Sequence, residues 1–103
     1  MSNMLSILGS SLAQATGKEE GICRGLLRLS IQDSVEYLQE TTDLAQVAAH
    51  IQTMTYQDWK NIIEGGVLAQ RLANMGIAEP GDIVTGLKQT LAEKQSLLTM
   101  TAQ

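Results

Sequence analysis

The chain has one cysteine, Cys23, and one histidine, His50, the two side chains best suited to nucleophilic or general-base chemistry. Arg24 and Arg28 follow Cys23 closely. Cations placed there, near a helix start, would stabilise a thiolate. No histidine lies near Cys23 in sequence, so a Cys23–His50 dyad would have to be assembled by the fold. The residues around Cys23 are Ile22, Leu26 and Leu27, which suit a small buried apolar side chain better than a nucleophile. A metal centre needs several Cys or His ligands, and there is one of each, so no metal and no cofactor is expected. His50 lies one residue off the apolar stripe of its segment, which suits a half-exposed, hydrogen-bonding ring.

Two other groups have a spacing that implies recognition. Asp33, Glu36, Glu40 and Asp43 step by three, four and three, so on a helix these carboxylates share a face. Such a face would dock a basic partner or hold a divalent cation weakly, or it is simply solvated and paired with Arg24 and Arg28. Met1, Leu5, Leu8 and Leu12 step by four, three and four in a stretch, Met1 to Gly17, that has no charged side chain. Its other face is Ser6, Gly9, Ser10, Ser11 and Gln14, polar but small. A helix of that kind is expected to be covered on both faces, by the fold or by a neighbouring subunit. Residues 1–17 are therefore expected to form an oligomerisation or docking helix. The expected partner-binding set is Met1, Leu5, Leu8, Leu12, Asp33, Glu36, Glu40 and Asp43.

The elements that must position these residues read as helices throughout. Only 3% of the residues are aromatic and none is Phe, so the core must be aliphatic, which suits helices better than a β-sandwich. Residues from Thr42 to Gly76 give three successive stripes. Leu44, Val47, Ala48, Ile51 and Met54 form the first. Tyr56, Trp59, Ile62 and Ile63 form the second, opened by a Thr55–Asp58 capping box and closed by Gly65-Gly66. Val67, Leu68, Leu72 and Met75 form the third, stopped by Gly76. Trp59 and Tyr56 suit the core more than an interface, and Gly65-Gly66 lacks the downstream Lys-Ser/Thr of a phosphate loop.

Before this stretch, Gly17 is expected to break the chain between a first helix and one running from Glu19 or Glu20 to Leu29; the alternative is one continuous or kinked helix from Ser2 to Leu29 with Gly9, Ala13, Gly17, Gly21 and Gly25 as a ridge of small residues. The segment from Glu20 to Leu29 would bury Ile22, Cys23, Leu26, Leu27 and Leu29. Ser30 and Asp33 look like the cap of a further helix, Ile31 to Gln39. After Pro80, Asp82 is expected to cap a last helix from Ile83 to Thr99, with Ile83, Val84, Leu87, Leu91 and Leu98 inward. The result is one all-α domain over residues 1–103, a compact bundle of six to seven short helices. The middle three helices also resemble an armadillo-like helical stack, but no sequence repeat supports it.

The formal net charge of −4 argues against non-specific nucleic-acid binding and against docking on anionic lipid, both of which need clustered cations. A helix-turn-helix reading of Leu44 to Ile63 would offer Lys60 alone to phosphate. Uninterrupted apolar runs never exceed three residues, far below the roughly 20 of a membrane span. The N-terminus lacks the basic and compact apolar regions of a signal peptide, and a lone cysteine suggests no disulfide. The expectation is a cytoplasmic, non-enzymatic module that works by protein–protein contact and self-association, with no nucleic acid and no membrane as partner. A nucleic-acid-binding regulator is the second reading, and an enzyme using Cys23 the third.

Overall fold

A computed structural model describes residues 4–101, with side chains to residue 98. Within it lie seven α-helices: α1 (Met4–Thr16), α2 (Glu20–Ser34), α3 (Leu44–Thr53), α4 (Tyr56–Glu64), α5 (Val67–Asn74), α6 (Pro80–Glu93) and α7 (Gln95–Thr101). A single 3₁₀ turn, Glu36–Leu38, joins α2 to the loop before α3. The described residues include no strand. The fold is an all-α bundle.

The helix boundaries follow from local chemistry. Gly17 takes a left-handed φ of 76° and donates its N–H to the Ala13 carbonyl, which ends α1 where a break was expected. Asp43 caps α3 by accepting the Ala45 N–H at 3.0 Å. Thr55 and Asp58 form the reciprocal capping box of α4, each side chain accepting the other's backbone N–H. Gly76, with φ 86°, closes α5 in a Schellman arrangement. Its N–H goes to Ala73 and that of Ile77 to Leu72.

Two boundaries differ from expectation. Ser30 does not start a helix. Its hydroxyl donates back to the Leu26 carbonyl at 2.9 Å, and α2 runs through to Ser34. A serine that bonds the preceding turn does not compete with the helix. The separate Ile31–Gln39 helix therefore does not exist, and only its last part survives as the 3₁₀ turn. The final helix begins at Pro80, which occupies its first turn, where the missing N–H costs nothing. It then divides at Lys94 into α6 and α7.

The buried apolar side chains form one cluster. Met4, Leu8 and Leu12 come from α1, Cys23, Leu27 and Ile31 from α2, and Trp59, Ile62 and Ile63 from α4. Leu68 and Leu72 of α5 and Leu87 and Leu91 of α6 complete its centre. α1 packs between α2 and α6, while α5 packs against α2, α4 and α6. The middle helices supply the scaffold, as their stripes imply. Ala48 is exposed, however, and Leu44 lies in the first turn of α3 with 75% of its surface in water.

Candidate functional site

α1 is not a free docking helix. Leu8 and Leu12 are completely buried in the chain's own core, and Leu5 is partly buried against it. Met1 lies outside the described residues. With Leu8 and Leu12 buried in this way, a partner could reach them only by opening the fold. Part of the small polar face is also covered from within, while Ser6 and Gln14 stay exposed. Ser11 and Thr90 share a hydroxyl–hydroxyl bond at 3.2 Å, tying α1 to α6. Gly9 lets the Arg24 stem lie across α1, for a Cβ at Gly9 would stand 2.7 Å from Arg24 Cγ. Enclosure within one molecule thus accounts for the Met4–Leu8–Leu12 seam and for Gly9, though not for the lack of charge at exposed Ser6 and Gln14.

The four carboxylates do not form a stripe. α2 stops at Ser34 and Val35 is extended, so Asp33 alone of the four is on a helix face. Asp33 accepts a hydrogen bond from Arg71 of α5 through Oδ2. Glu36 sits in the 3₁₀ turn and Glu40 in the turn after it. Together with Tyr37 and Gln39 they line an open depression of about 710 Å³. Asp43 is engaged as a helix cap. Among the described residues no cluster of Cys, His, Asp or Glu could hold a metal ion. The shared-face expectation fails because it assumed one continuous helix past Ser34.

Cys23 and His50 are also occupied separately. Cys23 is buried, with Sγ 3.9 Å from Thr16 Oγ1. His50 Nδ1 bonds the Tyr37 hydroxyl at 2.6 Å, the two rings meeting edge to face with centroids 5.5 Å apart. α4 exposes Asp58 and Glu64 beside a partly buried Lys60, and Glu64 is paired with Lys88 of α6.

The structure brings together a different set. Ile22 and Leu29 of α2 were expected in the core, yet they are 49% and 46% exposed. The correction has a geometric cause. Cys23, Leu27 and Ser30 point at the bundle centre, and Ile22, Leu26 and Leu29 form a second stripe about 100° around the helix. One set of neighbours cannot cover both. Leu26 is nearly covered by α5, but Ile22 and Leu29 stand at the edge of a groove. That groove, of about 370 Å³, is walled by Ile22, Gly25, Leu26 and Leu29 on one side and by Arg71, Asn74 and Met75 on the other. It is mostly apolar, and the Arg71–Asp33 ion pair marks its end. Arg71 Nε is buried there without a hydrogen-bond partner.

The sequence held a signal for this groove: two apolar stripes on one 15-residue helix that also carries Arg24, Arg28 and Asp33. Comparison of the chain with protein-family models, with curated proteins and with solved structures finds no match.

Proposed function

We propose that this protein is a non-enzymatic helical module that acts by protein–protein contact, chiefly with itself, and that the contact surface is the α2–α5 groove. The observation that carries this reading is the half-exposure of Ile22 and Leu29, two large aliphatic side chains two helical turns apart on one groove edge. Isolated exposed apolar residues are ordinary, but aligned ones beside an apolar groove are the mark of a contact surface. The separation of Cys23 from His50, each with its own partner, supports the non-enzymatic part. A single buried thiol suits a reducing compartment, so we place the protein in the cytoplasm. Among the described residues no helix is long and apolar enough to cross a membrane.

Sedimentation equilibrium across a concentration series tests the reading. The average mass should rise with concentration, and Leu29→Asp should hold it at the monomer value with the far-ultraviolet circular dichroism unchanged. A wild-type protein that stays monomeric from micromolar to millimolar concentration would reject it.

A further inference from the structure

We infer that α3 is a flap built into the fold: it opens by local unfolding while the rest of the bundle stays closed, and the Tyr37–His50 contact is its latch. The flap lies apart from the α2–α5 groove and does not depend on self-association.

α3 differs from its neighbours in how little holds it. Each of α1, α2, α4, α5 and α6 packs extensively against at least two other helices, while α3, among the described residues, packs in that way against none. Of its ten residues only Val47 and Ile51 are buried. Leu44, Ala45, Ala48 and Ala49 all face water. A helix of this length is marginal in water without tertiary support. Once Val47 and Ile51 leave the core, α3 therefore unravels instead of swinging out as a rod.

Both ends of α3 are secured without it. On the N-terminal side, the Gln32 amide of α2 donates to the carbonyls of Leu38 at 3.1 Å and Thr41 at 3.0 Å, which ties that loop to α2. On the C-terminal side, Met54 is buried, Met54 and Thr55 are extended, and α4 starts from its own Thr55–Asp58 capping box. The segment between these anchors can open without fraying α2 or α4. Stability is not uniform across a fold, and a segment with few buried apolar side chains is the part that opens first. Opening uncovers Val47, Ile51 and the core surface beneath them, an apolar face hidden in the closed state.

One polar contact opposes the opening. Tyr37 stands in the 3₁₀ turn that Gln32 fixes, and its hydroxyl bonds His50 Nδ1 at 2.6 Å with the rings edge to face. Among the described residues this is the one side-chain hydrogen bond that joins α3 to another element. Tyr37 is 58% exposed, so it adds little to the core, and its placement serves this contact. A hydrogen bond open to water biases an equilibrium modestly, which suits a latch that must release.

Native-state hydrogen exchange of the full chain, read by nuclear magnetic resonance across a urea series below the unfolding midpoint, tests both parts. The amides of Ala48, Ala49 and Ile51 should exchange through an opening that costs less than global unfolding and depends little on urea. Those of Ile63 and Leu72 should follow global unfolding. Tyr37→Phe keeps the ring and removes the hydroxyl. It should lower the protection of the α3 amides roughly twofold to tenfold and leave Ile63 and Leu72 unchanged. α3 amides that match Ile63 in protection and urea slope would overturn the flap. Unchanged α3 protection in Tyr37→Phe, or an equal loss at every amide, would overturn the latch.

Discussion

Leu8 and Leu12 on α1, and Ile22 and Leu29 on α2, are large aliphatic pairs at helical spacing on two helices that pack against each other. The first pair is sealed from water and the second is half in it. The cause is the number of neighbours. α1 lies between α2 and α6, with Ser11 bonded to Thr90 and the Arg24 stem laid over Gly9. α2 has α1 on one side and α5 on another, and Ile22, Gly25 and Leu29 form the open edge of the groove whose other wall is Arg71, Asn74 and Met75. Charge follows the same division. α1 turns only Ser6, Gln14 and Ala15 fully to water, none of them charged, while α2 carries Arg24, Arg28 and Asp33. Lack of charge alone does not mark an enclosed helix, since α3 also has no Asp, Glu, Lys or Arg and buries only Val47 and Ile51. An apolar stripe on a charged helix is free to stand at a surface.

The comparison is broken most directly by truncating one side chain from each stripe. Leu8→Ala removes buried carbons from a closed site and should cost about 2–5 kcal/mol. Urea unfolding should show a lower midpoint with an unchanged slope. A cost near zero would mean that α1 is not enclosed.

The sequence carried the α3–α4–α5 scaffold clearly, and the reason is local. Asp43, Thr55, Asp58 and Gly76 act within a few residues of themselves, so their caps and stops are readable without knowing the fold. The sequence leaves the break at Gly17 open against a continuous helix, and the left-handed φ of Gly17 decides it. The site was not readable, for two separate reasons. Ser30 and Asp33 match a capping box in type and spacing, but Ser30 donates backward within α2, and the choice is made by burial of Ile31 in the core. That error produced both the false extra helix and the false carboxylate stripe. Periodicity, in turn, shows that a stripe exists and says nothing about what covers it. Periodicity therefore leaves the α1 seam open between the fold and a neighbouring subunit and places Ile22 and Leu29 in the core, whereas the fold buries Leu8 and Leu12 and leaves Ile22 and Leu29 half-exposed.

Gly9 of α1 and Gly25 of α2 give the next largest effect, with opposite signs. Gly25→Ala should stabilise the dilute protein by about 1 kcal/mol, since it removes a helix-interior glycine and its Cβ meets open space. Gly9→Ala gains the same propensity but drives a Cβ onto Arg24 Cγ, where overpacking costs about 1–3 kcal/mol. Its net effect should be a loss of roughly 1 kcal/mol. Thermal melts at low concentration compare them. Equal and stabilising shifts would show that α1 and α2 are not in close contact at Gly9.

Leu29→Gln is the partner test to Leu8→Ala. At a half-exposed helical position the change should stay within about 0.5 kcal/mol in the monomer. A loss comparable to that of Leu8→Ala would place Leu29 in a core and remove the difference between the stripes. A small loss, together with weakened self-association, would sharpen it.

The smallest effect comes from the covered side and is read by pH. Glu64 of α4 and Lys88 of α6 pair at 2.8 Å. The hydrogen bond from Lys88 holds the Glu64 carboxyl below its usual value, slight desolvation opposes this, and the charges of Lys88 and Lys60 add to the lowering. A carboxyl whose folded pKa is depressed favours the folded state when ionised. Its contribution is therefore present above the unfolded value, near 4.5, and is lost as pH falls through the lowered folded value. The pair is exposed, so the effect is small and weakens with salt. Glu64→Gln should flatten this part of the acid limb of a urea-midpoint profile. Because α6 is one of the two walls over α1, the contact belongs to the enclosed half of the molecule. Glu64→Gln should leave the concentration dependence of the mass at neutral pH unchanged, and a shift there would tie the α2 surface to a junction it does not touch.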